Sequence, residues 1–129
     1  MQTTAAPKRI LVVEDDPIGQ KVVVDSLRAN GYEVSVARTG VEGVEMAARD
    51  RPDLVLCDVL LPQKSGFEVC FEIKRAHETR NLPVILMSAV CRDGYSEFYA
   101  SVSLRAEAYF VKPFAMGAML ARIRQLLPA

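Results

Sequence analysis

Asp58 closes an almost wholly apolar run, Asp53-Leu54-Val55-Leu56-Cys57-Asp58, and Leu60-Leu61-Pro62 and Gly66 follow it. Burying a carboxylate at such a place costs free energy unless the group is paired or put to use. Three other apolar runs end in polar residues of complementary chemistry: Glu14-Asp15-Asp16 after the first, Ser88 after a later one, and Lys112-Pro113 after the last. Acids alone would repel, since two carboxylates about 4 Å apart cost ~4 kcal/mol at an effective dielectric of about 20. An oxygen-rich cluster of this kind suits a hard cation such as Mg²⁺, which takes one or two carboxylates, keeps several waters and accepts a phosphate oxygen. Lys112 supplies a second positive charge and Ser88 a hydroxyl, both suited to the oxygens of a phosphoryl group carried by Asp58. Asp58 would then act as a nucleophile toward phosphorus, with metal and lysine neutralising charge during in-line displacement.

Taken singly, these residues have ordinary explanations. Asp15 or Asp16 could cap a helix, Ser88 could make a local turn bond and Lys112 could be solvated. Their coincidence depends on the elements that carry them. The strand candidates are Ile10 to Glu14, Glu33 to Ala37, Leu54 to Asp58, Val84 to Met87 and Ala108 to Val111. Between them lie stretches of helical spacing, such as Val41, Val44 and Ala48, or Met116, Leu120, Ile123 and Leu127. Alternation of strand and helix implies a parallel α/β sheet covered on both faces. Right-handed crossovers deliver every strand's C-terminal end to one edge, and that edge collects all four polar clusters. The boundaries are marked by Asp16-Pro17, Asn30-Gly31, Thr39-Gly40 and Lys112-Pro113, the last of these expected to open the final helix.

The chain's 129 residues fit one domain, 9–129, with residues 1–8 expected to fray for want of an apolar period. Sixteen basic against sixteen acidic residues give no basic excess for phosphate-backbone binding, so no nucleic acid is expected as a direct partner. No apolar run approaches the ~20 residues that cross a bilayer and Met1 to Pro7 lacks a signal-peptide core, which implies a cytoplasmic protein with no membrane contact. Cys57, Cys70 and Cys91 lack metal-ligand spacing and read as free thiols.

From about Arg9 to Leu127 the chain resembles the receiver domain of bacterial two-component response regulators, a single-domain, CheY-like form. The resemblance rests on Ile10-Leu11-Val12-Val13-Glu14-Asp15-Asp16-Pro17, Asp58 with Leu61-Pro62 and Gly66-Phe67-Glu68, Pro83 to Ala89, and Tyr109-Phe110-Val111-Lys112-Pro113-Phe114. It implies a flavodoxin-like doubly wound sheet of five parallel strands in the order 2-1-3-4-5, with Glu14 and Asp15 brought beside Asp58 at the switch point. It further implies that Asp58 is the phosphoacceptor and that Glu14, Asp15, Asp58 and the backbone carbonyl of Leu60 hold Mg²⁺. Ser88 and Lys112 would meet the phosphoryl group, Tyr109 would move inward when Ser88 is recruited, and the Lys112-Pro113 peptide would be cis. The donor would be a sensor histidine kinase or a histidine phosphotransfer protein. Such a protein is no enzyme in the usual sense, since it catalyses only its own phosphorylation and dephosphorylation.

Two departures from the family pattern stand out. The stretch between Ser88 and Lys112 is about two residues longer than usual, and Arg105 stands where glycine is common, which implies a helix that ends differently or a strained residue. Tyr95 to Leu104 carries one charge in ten positions. Tyr95, Phe98 and Tyr99 either fold back onto the sheet or form, with the fifth strand and fifth helix, a surface for a downstream protein or a homodimer. His77 reads as a solvated cation near the end of the third helix. Leu60 and Val90 are apolar at positions that influence hydrolysis in the family, so slow loss of phosphate is expected. The rival reading is a receiver-fold interaction module that no longer uses phosphorylation. A nucleotide- or flavin-binding domain fits less well, because Glu14-Asp15-Asp16 would repel the phosphate that a Gly-rich turn cradles.

Overall fold

In a computed structural model, residues 6–89 and 104–128 are described. Five strands, β1 (Arg9–Val13), β2 (Glu33–Ala37), β3 (Leu54–Asp58), β4 (Val84–Ser88) and β5 (Ala108–Val111), form one parallel sheet in the order β2-β1-β3-β4-β5. Helices α1 (Pro17–Ala29), α2 (Gly40–Asp50) and α3 (Gly66–Arg75) follow the first three strands, and a C-terminal helix spans Met116–Leu126. This is the doubly wound α/β fold expected from the sequence. The segment between Ser88 and Leu104 with Val90, Cys91, Tyr95, Phe98 and Tyr99 lies largely outside the described residues, and with it the expected fourth helix.

The consecutive apolar residues of β1, β3 and β4 are explained by burial on both faces, because successive side chains in a strand point to opposite sides. Leu11, Val13, Val55, Cys57, Val84 and Leu86 pack on one side with Ala47 of α2 and Val69, Cys70 and Ile73 of α3. Ile10, Val12, Leu54, Leu56, Ile85 and Met87 pack on the other with Val23, Val24 and Leu27 of α1 and Met119, Leu120 and Ile123 of the C-terminal helix. Each fully buried Leu or Ile contributes roughly 1.5–3 kcal/mol.

Local chemistry sets the helix starts. Asp16 Oδ2 accepts from Gly19 N at 3.1 Å, with Pro17 at the first helical position of α1. Thr39 Oγ1 accepts from Glu42 N at 3.1 Å while Glu42 Oε1 accepts from Arg38 N at 2.7 Å, a reciprocal cap of α2. Ser65 Oγ accepts from Glu68 N at 3.2 Å and starts α3. The final helix corrects an expectation, since it begins at Met116 rather than at Lys112-Pro113 and has no side-chain cap. Lys112 N still donates to Ser88 O at 2.9 Å, which continues the strand ladder, and Phe114 packs edge-on against Phe110 with ring centroids 5.6 Å apart. The chain must turn around that pair before it can coil.

The segment entering β5 is clamped. Lys74 Nζ, almost fully buried, donates to both carboxylate oxygens of Glu107 and to Leu82 O at 2.9 Å. Glu107 Oε1 also accepts from Val84 N at 2.8 Å, and Glu107 O accepts from Arg122 at 2.7 Å. Arg105 sits at a φ of 58°, the strained conformation that was one of the two alternatives for this residue, while the end of the helix before it lies outside the described residues. For a residue with a Cβ that conformation costs roughly 1–2 kcal/mol.

Candidate functional site

The strand order sets β1 and β3 side by side, and the residues at their C-terminal ends, Glu14 and Asp58, therefore meet at the edge where the chain's crossovers diverge. Lys112, following β5, reaches across β4 to both. Its Nζ donates to Asp58 Oδ2 at 2.6 Å and to Glu14 Oε1 at 2.7 Å. The second Asp58 oxygen, Oδ1, accepts from Leu60 N at 3.0 Å. The second Glu14 oxygen, Oε2, accepts from Asp16 N at 3.2 Å. Every carboxylate oxygen of the pair is thus held, and the pair shares one ammonium.

That sharing shows in the protonation equilibria. Burial pushes the Glu14 carboxyl above its ordinary range, the Lys112 hydrogen bond opposes it and the Asp58 charge adds to it. Burial pulls Lys112 down, but the hydrogen bonds to Asp58 and Glu14 outweigh it and the net shift is upward. The site favours the charged lysine and is short of positive charge for its two acids.

The loop carrying Asp58 is braced by two glycines. A Cβ on Gly66 would stand 2.2 Å from Asp58 O and 2.7 Å from Val59 Cα, and one on Gly40 would stand 2.1 Å from Lys64 O. No side chain fits either place, so α3 and α2 close directly on the backbone of residues 58–64. Gly66 N donates to Val59 O at 2.8 Å and Val59 N to Met87 O at 2.9 Å, tying the loop back to the sheet. Gln63 takes the left-handed turn conformation within it, at a φ of 71°.

The remaining sequence-predicted residues separate by environment. Ser88 ends β4, fully buried, opposite Val111. Tyr109 is half-buried, opposite Leu86, and packs on the α2–α3 side of the core. The Lys112-Pro113 peptide is cis. Asp16 is committed to capping α1, whereas Asp15 is exposed. Leu60 projects into solvent, 56% exposed. His77 lies exposed two residues beyond the end of α3. Cys57 and Cys70 are free and buried, and desolvation raises both thiols, Cys70 to about 12. Among the described residues no three acid, His or Cys side chains stand as a ready-made metal cluster. The donor chemistry nonetheless fits a hard cation, since Glu14, Asp15 and Asp58 offer only oxygen and carry more negative charge than Lys112 balances.

A feature of α1 escaped the sequence reading. Ile18 and Val22 are 76% and 62% exposed, and Val22 lines a groove of about 440 Å³ together with Val23, Phe114, Met116, Asp16 and Lys112. The signal lay in Val22-Val23-Val24, three consecutive valines of which a helix can turn only two inward.

The sequence pattern that describes the response regulator receiver domain matches residues 10–124. The chain belongs to the response regulator receiver family. The receiver domain is 44% identical over 119 residues to the response regulator MprA of Mycobacterium leprae (strain TN), covering 92% of this chain and 50% of that protein. It thus spans about half the length of the curated relatives it matches. Its fold superposes on the receiver domain of a sensor histidine kinase from Pseudomonas aeruginosa PAO1, whose crystal holds a magnesium ion in the active site cleft. The TM-score there is 0.85 at 29% identity, over 96% of this chain and 100% of the other. The BeF3-activated receiver domain of RstA from Klebsiella pneumoniae gives 0.82 at 29% identity, over 95% and 100%. The receiver domain is therefore a part of two-component signalling rather than a member of a classical enzyme family. No helix among its described residues is long and apolar enough to cross a membrane.

Proposed function

We propose that this receiver domain is a phosphorylation-dependent switch whose acceptor is Asp58. The observation that carries the reading is the shared ammonium: Lys112 bonds both Asp58 and Glu14, so the acceptor carboxylate is aligned and its charge partly balanced before any donor arrives. In the transfer an Asp58 oxygen forms the bond to phosphorus as the bond from phosphorus to a donor imidazole nitrogen breaks, the electron pair leaving on that nitrogen. Leu60 N–H keeps the carboxylate from rotating, and Lys112 follows the charge onto the phosphoryl oxygens. Glu14, Asp15, Asp58 and the Leu60 carbonyl would hold Mg²⁺, which when bound adds positive charge at the transferring group.

The donor is a histidine kinase or histidine phosphotransfer protein, and we assign its docking to α1. Ile18, Val22 and the adjoining groove are apolar area that leads directly to Lys112, so a helix packed there carries its histidine to the acceptor. Ser88 and Tyr109 then report the phosphoryl group toward β5 and the C-terminal helix, where a downstream protein or a second copy reads it. We place this exchange in the cytoplasm, with no direct contact to nucleic acid.

The test is incubation with a small-molecule phosphodonor and Mg²⁺, read by intact mass. A single phosphoryl adduct that is lost in Asp58→Asn and blocked by a chelator supports the switch. Absence of an adduct with every donor overturns it in favour of a phosphorylation-independent interaction module.

A further inference from the structure

Helix α3 presents a surface that neither the acceptor site nor the α1 groove uses. Phe71 is 49% exposed on its outer face, and the Arg75 guanidinium lies over its ring at 5.6 Å from the centroid. The ring borders a groove of about 450 Å³ between α2 and α3, walled on the α2 side by Val44. Four charges line that groove, two of each sign. Lys64 and Glu72 are bonded to each other, whereas Glu68 and Arg75 make no ion pair among the described residues.

These two remaining charges are placed symmetrically. Glu68 and Arg75 stand one turn to either side of the Phe71–Glu72 step on a single helix face. In an antiparallel pair of such helices, a two-fold axis through that step sets each Glu68 against the other copy's Arg75 and brings both Phe71 rings beside the axis. Self-complementarity of this kind is what an isologous contact requires, and a partner of one net charge would leave one of the two unmatched. We infer that the outer face of α3 is a weak two-fold contact between two copies of this chain, with Phe71 at its centre and Glu68 of one copy paired to Arg75 of the other. A helix of ten residues is about 15 Å long and buries less than the ~1,200 Å² of a stable interface, so the association is transient.

Sedimentation velocity over a concentration series to about 1 mM reads it. The wild-type chain shifts toward dimer with concentration. Phe71→Ser and Arg75→Glu each weaken association at least tenfold, the second by setting an acid against Glu68 of the other copy. The double substitution Glu68→Arg with Arg75→Glu reverses both charges on both copies and restores association to within about threefold of wild type. Circular dichroism melts confirm that each exposed-site variant is folded. A wild-type chain that stays monomeric throughout the series overturns the proposal. So does a double variant as weak as Arg75→Glu alone, which would assign the surface to a different partner.

Discussion

Replacing Lys112 by Met removes the positive charge between two buried acids while keeping most of the side chain's volume. The two oxygens lie 2.6 and 2.7 Å from Nζ, so they are no more than about 5.3 Å apart, and at an effective dielectric of about 20 their repulsion is at least about 3 kcal/mol. The lysine side chain is 26% exposed, so water screens part of this and a loss of about 2 kcal/mol is expected at pH 7. For a chain of 129 residues that corresponds to a fall of about 7 °C in Tm. Without the lysine the acids take up a proton more readily in the folded than in the unfolded chain. A carboxyl raised in this way is least destabilising below its unfolded pKa and most destabilising above its folded one. The deficit therefore narrows as pH falls from 7 toward 5, and it also narrows with millimolar Mg²⁺ at pH 7. Urea melts of both chains at the two pH values, with and without the metal, measure this. A deficit unchanged by pH and by Mg²⁺ would refute the electrostatic account and leave only lost packing.

Four further outcomes follow from the same contacts. Glu14→Gln, which removes the acid whose carboxyl burial pushes up, should be at least as stable as wild type at pH 7 in urea melts, with its advantage shrinking as acid protonates wild-type Glu14. Gly66→Ala should cost about 3 kcal/mol or more in the same assay, because its Cβ meets backbone at 2.2 Å that cannot give way as a side chain would. Cys57 and Cys70 should resist a thiol reagent at pH 8 until urea unfolds the chain, as read by peptide mapping, since both thiols are buried and raised. Once phosphorylated, the chain should lose its phosphoryl group slowly, and Leu60→Asn should shorten its lifetime several-fold by intact mass, because exposed Leu60 offers no polar group to position a water.

The architecture was legible because its signals were redundant. Runs such as Leu54 to Cys57 show burial on both faces, and Asp16-Pro17 and Thr39-Gly40 mark helix starts with side chains that make the expected caps. Glu14, Asp58 and Lys112 were legible for a related reason, since parallel crossovers leave strand ends only one place to go. What sequence could not supply was the partition among neighbours. Three consecutive acids were visible and Asp16 was legible as the cap, but not which of the other two is buried and which stays exposed, because that depends on the angle at which α1 leaves β1. The start of the last helix was misplaced for a tertiary reason: Lys112 N still donates to Ser88 O of β4 and Phe114 packs edge-on against Phe110, so the chain coils only from Met116. The exposed face of α1 was missed because the run Val22-Val23-Val24 was not weighed against the two positions a helix can turn inward.

Lys112 is also separated from Glu14 by 98 positions and from Asp58 by 54. During synthesis both acids therefore emerge and can enter the sheet well before the residue that neutralises them exists. A nascent or truncated chain ending before β5 would assemble its central strands around an uncompensated pair of negative charges, and docking of the last strand relieves that repulsion. The site thus doubles as a lock on completion: the bonds from Lys112 to Asp58 and Glu14 are reached only by a chain that has been made through β5.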